Sequence, residues 1–342
     1  SYGLYGSLEY TIDRLRLQGE ARYSVDDKSA VIDAILTTGG PRYSDFPPGS
    51  PQTRPSRTFD NTSWGATASY RFSDEVMGFA RAATAYRSGG FNSELGNPCN
   101  LPGEVPGQTC NLIDVPFGYE PETSVTYEAG VKTNFFGGRV NVNANVYRIE
   151  YTDMLANLNN GIMPMVDPLN GAMFLTNAGD ATANGVEIEM LARTRLPNQL
   201  GNLDVRASYG SQDGEFKAPP AWITTVNEGY SLARLRPNSS TASLIYRKDL
   251  FGDWGLNASL TYRHESGGYQ GAENDVFLDS YDIFGARVAV RNDNLTLALR
   301  VANLTNERYF TNQSGVALYH GYSENYRLND PRYIEASITY DW

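Results

Sequence analysis

Apolar and polar residues alternate with a period of two along most of the chain. The clearest case is the final segment, in which Ile334, Ala336, Ile338 and Tyr340 alternate with Glu335, Ser337, Thr339 and Asp341. Because successive side chains of a β-strand point to opposite faces, this pattern predicts a strand with one apolar and one polar face. The same alternation recurs in segments that begin at Leu15, Trp64, Val125, Val140, Leu203 and Leu256.

The connections between these segments are alternately short and long. The short ones are near residues 11–14, 73–75, 137–138, 196–200, 250–253 and 292–294. The long ones are near residues 26–62, 88–120, 153–183, 213–235, 265–276 and 304–330. This order predicts an all-β, antiparallel, up-and-down transmembrane β-barrel with tight periplasmic turns and long extracellular loops.

The number of segments bears on how much of a barrel is present. We count about 13 strands, an odd number, whereas bacterial barrels usually close with an even number. A plugged transporter barrel has about 22 strands, so the segments would correspond to strands 10–22 of such a barrel. We therefore expect residues 1–342 to be the carboxy-terminal portion of one barrel domain, processed or partial, without a plug domain.

Composition narrows the classes of function. The chain has 28 basic and 39 acidic residues, and the resulting net charge of -11 argues against nucleic-acid binding. No run of about 18 apolar residues is present, so no transmembrane helix is expected. The 23 Tyr and 4 Trp residues suit a boundary between lipid and water, because these side chains combine an apolar body with a polar tip.

Several stretches, taken in order, resemble the TonB-dependent outer-membrane receptor family. They are LRLQGEARYSVDDK, AYRSGGFN, YEPETSVTYEAGVK, VYRIEYTDM, NAGDATANGVEIE, VANLTNERYF and the ending PRYIEASITYDW. The resemblance implies a bacterial outer-membrane importer of a scarce nutrient, most often an iron-siderophore complex. It also implies a plug inside the barrel, coupling to the TonB complex through the plug region, and insertion into outer-membrane lipid by the barrel assembly machinery.

Four residues are candidates for ligand binding in an extracellular loop or the lumen. Arg87 and Asn92 lie in the stretch AYRSGGFN, where a strand enters a long connection, and the guanidinium of Arg87 could bind an anion. Alternatively, Gly89 and Gly90 only bend the chain there. His264 and His320 are the only histidines and fall near extracellular ends, although such histidines are often incidental.

The two cysteines, Cys99 and Cys110, lie in one long connection. A disulfide that closes this loop is the preferred interpretation for an exported protein, and two free thiols are the alternative. A metal site is not expected, because no other Cys or His is nearby to complete one. No nucleotide-binding or nucleophile motif is present, so we expect neither a cofactor nor an enzymatic activity.

The alternation also assigns charged and aromatic residues to opposite faces. Glu128, Glu187, Glu189 and Glu335 fall on the polar face with several arginines, which predicts a lumen lined by ion pairs, since charges facing lipid are costly. The residues expected to form a periplasmic aromatic girdle are Tyr10, Tyr70, Phe72, Phe135, Tyr340 and Trp342. The resemblance to outer-membrane barrels also implies that the terminal aromatic residue serves as an assembly signal. Many relatives end in Phe, whereas this chain ends in Trp342.

Two other functions are compatible with the pattern. A passive, porin-like channel would share the alternation and the aromatic girdle. An outer-membrane enzyme or a secreted all-β binding protein would share only the strands. Conductance of the full-length protein distinguishes a porin from a plugged receptor, and the cellular fraction in which the protein is found distinguishes a secreted protein from both.

Overall fold

The computed structural model describes residues 1–30, 32–33, 52–53, 55–92, 118–159, 173–221, 223, 225–318 and 321–342. This described part contains no helix that is long and apolar enough to cross a membrane. Its strands, in chain order, are β1 (Tyr2–Ile12), β2 (Leu15–Ser29), β3 (Ile32–Asp33), β4 (Gln52–Thr53), β5 (Ser56–Arg71), β6 (Val76–Arg87), β7 (Gly90–Phe91), β8 (Gly118–Tyr119), β9 (Glu122–Thr133), β10 (Val140–Thr152), β11 (Leu155–Asn159), β12 (Met173–Asn177), β13 (Asp180–Arg195), β14 (Asn202–Ala218), β15 (Asn238–Asp249), β16 (Gly255–Glu265), β17 (Gly268–Tyr269), β18 (Phe277–Leu278), β19 (Tyr281–Arg291), β20 (Leu295–Ala302), β21 (Phe310–Leu318), β22 (Gly321–Leu328) and β23 (Tyr333–Tyr340).

Thirteen of these strands form one antiparallel sheet, which we call the wall. Their order is β1-β2-β5-β6-β9-β10-β13-β14-β15-β16-β19-β20-β23, so each strand pairs with the next wall strand along the chain. This up-and-down order confirms the predicted fold class and the predicted number of strands. The remaining strands form two-stranded hairpins, β3-β4, β7-β8, β11-β12, β17-β18 and β21-β22, one within each long connection except the one between β14 and β15.

The register of the wall keeps apolar residues on one face and polar residues on the other. Val146 pairs with Ala129 and Val186 on its two sides, whereas the adjacent Asn145 pairs with Gly130 and Glu187. Large side chains on the apolar face are exposed, for example Leu8 at 78% and Ile338 at 78%. An apolar face of this extent would be unfavourable in water and is typical of a wall that contacts lipid.

The two ends of the wall differ in their connections. At one end, the turn end, the strands are joined by tight turns, and several turn residues have positive φ angles, including Asp13 (50°), Gly137 (65°) and Gly138 (85°). Glycine adopts this backbone region without steric cost, which explains the Gly137-Gly138 pair between β9 and β10. All the long connections are at the other end, the loop end, as the sequence predicts.

Several strands extend further into the long connections than predicted. The connection expected at residues 26–62 is shorter, because β2 continues to Ser29 and β5 begins at Ser56. The connection expected at residues 153–183 is shorter because β13 begins at Asp180, and the one expected at residues 213–235 is shorter because β14 continues to Ala218. These extensions are short, and their buried apolar residues, such as Phe59, Ala181 and Phe216, are isolated between polar neighbours, so they add little to a period-two signal.

Strand β10 reverses its polarity near the loop end. In β10, Ile149 and Tyr151 share the inward face with Asn145 and pack against an apolar cluster. On the opposite face at the same height, Arg148 Nε donates to Glu150 Oε1 at 2.8 Å. At β10 the loop end therefore has an apolar inner face and a charged outer face, the reverse of the rest of this strand.

Candidate functional site

The polar face of the wall lines a cavity of about 1040 Å³. Residues from seven adjacent wall strands, β1 to β13 in the sheet order, contribute to it, so this face is the lumen side. The charged residues that line it are Glu9, Asp13, Arg14, Arg16, Glu20, Arg71, Asp74, Arg81, Glu128, Lys132, Glu187 and Glu189. Acidic and basic groups are mixed on this face. Because charges that face lipid are costly, such a face suits a lumen filled with water or with another domain.

Several of the lumen charges form ion pairs within the wall. Arg16 pairs with Glu9 on the neighbouring strand, and Arg81 Nη2 lies 3.1 Å from Glu20 Oε1. Farther along the wall, Arg300 Nη1 lies 3.7 Å from Glu335 Oε2. These contacts are largely exposed, so each is expected to contribute little to stability on its own.

Three lumen carboxylates have no such partner. Within the described part of the chain, no basic side chain forms an ion pair with Glu128, Glu187 or Glu189. The amide nitrogen of Asn145 lies between two of them, 3.2 Å from Glu128 Oε1 and 3.4 Å from Glu187 Oε2. The alternation places these residues in the lumen, but it does not indicate which carboxylates lack a counter-charge.

An apolar cluster covers the inner side of the loop end. Its buried members come from three long connections and the strand ends beside them: Ala156, Leu158, Ala178, Ala181, Ala183, Phe216, Ile223, Val226, Leu232 and Ala272. Leu158 is fully buried and Phe216 is 1% exposed. Burial of apolar side chains is the main stabilising contribution in such a cluster, so these connections form a small core of their own.

Side-chain amides connect neighbouring loops around this core. The amide of Asn92 donates to the Leu175 carbonyl and accepts from the Leu175 N–H, both at 2.9 Å. Asn274 makes the same kind of pair with Ser231, at 2.9 Å and 2.8 Å. Gln270 does so with Gln313, at 2.7 Å in each direction.

A cluster of aromatic and basic groups lies on the inward face near the loop end. The rings of Tyr281 and Tyr309 are stacked with centroids 3.8 Å apart, and the Arg263 guanidinium lies 6.0 Å from the Tyr281 ring. Arg263 also donates to Glu265 Oε1 at 2.9 Å. Burial, the largest cause, raises the pKa of the Tyr309 hydroxyl. Sequence patterns did not single out this cluster, because its members come from three separate segments.

Comparison with known protein families identifies the family of this chain. A family described as "TonB dependent receptor-like, beta-barrel" matches residues 1–304. The chain belongs to this family. The match covers most of the wall and confirms the resemblance inferred from the sequence. Barrels of TonB-dependent receptors are outer-membrane proteins, and the family is one of transporters and receptors.

Solved structures of TonB-dependent receptors and related transporters share the fold. The ferric yersiniabactin uptake receptor FyuA from Yersinia pestis superposes with a TM-score of 0.73 at 18% identity, over 99% of this chain and 45% of that one. The ferric-catecholate import receptor Fiu from E. coli K12 gives 0.66 at 18% identity, over 99% and 44%. The copper transporter OprC gives 0.67 at 17% identity, over 99% and 47%. The chain thus spans less than half the length of each.

The candidate ligand residues of this TonB-dependent receptor barrel lie in different surroundings. Arg87 is exposed at the end of β6, opposite Glu122 in the register. Asn92 is 8% exposed, and its amide is engaged by the Leu175 backbone. His264 shares the outward face of β16 with Tyr262, and its Nδ1 lies 3.0 Å from Asp282 Oδ1. His320, Cys99 and Cys110 lie outside the described residues.

The glycines beside Arg87 have a packing role. A Cβ atom added to Gly89 would lie 2.5 Å from the Phe59 ring and from the Tyr119 carbonyl oxygen. Only glycine leaves room for this close approach of β5, β7 and β8. The alternative interpretation of the stretch AYRSGGFN, in which its glycines shape the chain, therefore has a specific structural basis.

The aromatic residues assigned to the turn end are mostly exposed on the outward face. Tyr10 is 61% exposed, and Phe72 is 58% exposed. At the last strand the rings of Tyr340 and Trp342 meet edge to face, with centroids 5.2 Å apart. Phe135 is less exposed than its neighbour Phe136, which is 74% exposed.

Proposed function

We propose that the chain is part of the barrel of an energy-coupled outer-membrane importer in a bacterium. The observation that carries the proposal is the combination of a lipid-type outer face, a charged lumen and long loops that pack into an apolar core of their own. A passive channel needs the first two features, whereas loops packed into a core suit a receptor that must hold a ligand at the loop end. The proposed partners are outer-membrane lipid, the barrel assembly machinery, and the TonB complex acting through a plug region.

For the substrate we propose an iron-siderophore complex. Two of the structural relatives are described as receptors for ferric complexes, and a third as a copper transporter. The Arg263, Tyr281 and Tyr309 cluster supports an anionic ligand with planar groups, because guanidinium and aromatic faces bind such groups well. Arg87, Asn92 and His320 remain further candidates for ligand contacts in the loops or lumen, and His264 remains a candidate at the loop end of β16, on its outward face.

Three further features stay proposals. A disulfide between Cys99 and Cys110 would close the long connection between β6 and β9, whereas two free thiols would leave it open. Tyr340 and Trp342 would belong to a periplasmic girdle and to the signal recognised during assembly. We propose no metal site, no cofactor and no enzymatic activity for this chain.

An uptake assay tests the proposed function. A strain lacking the gene, complemented with the full-length protein, should take up ferric siderophores from iron-limited medium, and an uncoupler of the proton-motive force should abolish this uptake. In planar bilayers the full-length protein should show little conductance. Uptake that persists with the uncoupler, together with a large steady conductance, would support the passive porin-like channel instead.

A further inference from the structure

The loops at the loop end share contacts that extend beyond any one of them. We propose that they form one preassembled cap, in which a displacement of one loop is transmitted to the others through amide links and a common apolar core. The cap comprises the described parts of the connections 30–55, 88–121, 153–179, 219–237, 266–280 and 303–332. This inference concerns loop motion and goes beyond the proposed import function.

The amide links reproduce the pairing of a β-bridge. An Asn or Gln side chain has one donor and one acceptor at a spacing close to that of a backbone N–H and C=O. Asn177 uses both on Glu120, accepting from its N–H at 2.8 Å and donating to its carbonyl at 3.0 Å. It also donates to the Asp153 carbonyl at 2.9 Å. Asn177 therefore links the second loop to the third and holds the two ends of the third loop together.

These links connect the loops in sequence around the rim. Arg57, which lies at the start of β5 beside the first loop, contacts Glu120 of the second loop through two hydrogen bonds of 2.6 Å. Asn92 joins the second loop to the third at Leu175, and Asn274 joins the fifth to the fourth at Ser231. Gln270 joins the fifth loop to hairpin β21-β22 in the sixth.

The apolar cluster supplies the remaining connection, between the third and fourth loops. Leu158 and Ala178 from the third loop pack in the same cluster as Ile223 and Val226 from the fourth and Ala272 from the fifth. The Arg236 guanidinium adds contacts from the fourth loop to the fifth, donating to the carbonyls of Ser266, Leu278 and Asp279 at 2.8, 3.0 and 3.2 Å. A continuous path of contacts thus runs from β5 to β22.

Polar links of this kind favour all-or-none opening over separate movements. A buried amide that loses its partner is left without hydrogen bonds, so moving one loop away also destabilises its neighbour. Regions that open together show a common free energy of opening, whereas independent loops open with different ones. Amide hydrogen exchange distinguishes these cases, and it does so whether or not the protein imports anything.

The test is hydrogen exchange with mass spectrometry on the full-length protein in detergent. In the wild type, we expect peptides covering 155–158, 229–235 and 268–278 to share one protection factor within about threefold. Asn274→Ala and Gln270→Ala should each speed exchange by about tenfold or more in all three peptides, including 155–158, which neither side chain touches.

Asn227→Ala is the matched control, because this exposed asparagine lies in the fourth loop outside the amide links. It should leave the three peptides unchanged. Faster exchange confined to residues that contact the substituted side chain would overturn the proposal. If a variant does not fold, the wild-type measurement decides alone: protection factors that differ widely among the three peptides would contradict a single cap.

Discussion

The side-chain amides of Asn303 and Asn329 both donate to the carbonyl oxygen of Glu307, at 2.9 Å and 3.0 Å. Asn303 also accepts from the Glu307 N–H at 2.8 Å, and both amides donate to the Asp330 carbonyl. Asn303 is 5% exposed and has a φ angle of 50°, a conformation that asparagine tolerates better than most residues. These contacts join the end of β20 to the start of β23 and explain why an asparagine occupies position 303 in the stretch VANLTNERYF.

Replacing Asn303 should destabilise this junction. Asn303→Ala leaves the buried N–H and carbonyl of Glu307 without this partner and places alanine at a positive φ angle, which together should cost about 2–4 kcal/mol. The urea midpoint of the full-length protein, measured from the gel mobility of folded and unfolded barrel, should fall accordingly.

Two comparisons make this prediction specific. Asn303→Asp keeps the acceptor and loses the donor, so it should lie between alanine and the wild type. Thr305→Ala removes an exposed side chain from the same turn and should change the unfolding free energy by less than about 0.5 kcal/mol. Equal urea midpoints for Asn303→Ala and Thr305→Ala would show that the amide contacts are unimportant.

The wall could be predicted from sequence because a single physical contrast governs it. In β10, Val146 faces outward and Asn145 faces the lumen, and this difference recurs from strand to strand in the part of the wall away from the loop end. A one-residue shift in register would turn every such side chain to the wrong face, so the pattern also fixes the pairing. The fold class and strand number followed from this contrast together with the alternately short and long connections.

The two faces of β10 should respond oppositely to the same substitution. Val146→Arg places a charge on the 53% exposed outward side chain and should cost about 2–4 kcal/mol if that face contacts the middle of the bilayer. Asn145→Arg, one residue away, places the charge between Glu128 and Glu187 and should be tolerated. Unfolding measurements in lipid vesicles test both; similar costs for the two variants would contradict a lipid-facing wall.

The contacts at the loop end could not be predicted in the same way. Asn274 and Ser231 are far apart in the sequence. Nothing in the residues around them indicates that the side-chain amide of Asn274 will form hydrogen bonds with the backbone of Ser231. The inward Ile149 and outward Arg148 still alternate, but with the polarity reversed, so the pattern predicts a strand without indicating which face is inside. Such contacts between residues distant in sequence become visible only in the three-dimensional structure.

Acid should release the contact between Arg57 and Glu120. The hydrogen bonds from the Arg57 guanidinium, the largest cause, hold the pKa of the Glu120 carboxyl below its ordinary value of 4.5. A group with a depressed pKa contributes stability above its ordinary pKa and loses that contribution as the pH falls through the folded value. The contact should therefore persist at neutral and mildly acidic pH and be lost only in more strongly acidic solution.

Distances between nitroxide labels on Ser56 and Gly118, with Cys99 and Cys110 replaced by serine, measure this release. The distribution should stay narrow at neutral pH and broaden in strongly acidic solution, once the carboxyl gains its proton. Arg57→Gln should give a broad distribution under both conditions. A wild-type distribution that does not change with pH would show that other contacts hold the two segments together.

The unpartnered lumen carboxylates provide a test of what occupies the barrel. Glu128 and Glu187 share only the Asn145 amide, and two like charges this close oppose each other unless a cation lies nearby. If a plug region supplies that cation, the double variant Glu128→Gln/Glu187→Gln should weaken the retention of the plug. A loss of about 1.4 kcal/mol corresponds to a tenfold rise in the displaced state, so bilayer conductance of the full-length protein should rise about tenfold.

Glu335→Gln is the control, because Glu335 already has Arg300 as a partner within the wall. This variant should leave the conductance unchanged. Equal conductance for the double variant and the wild type would mean that no cationic group of a plug contacts these carboxylates.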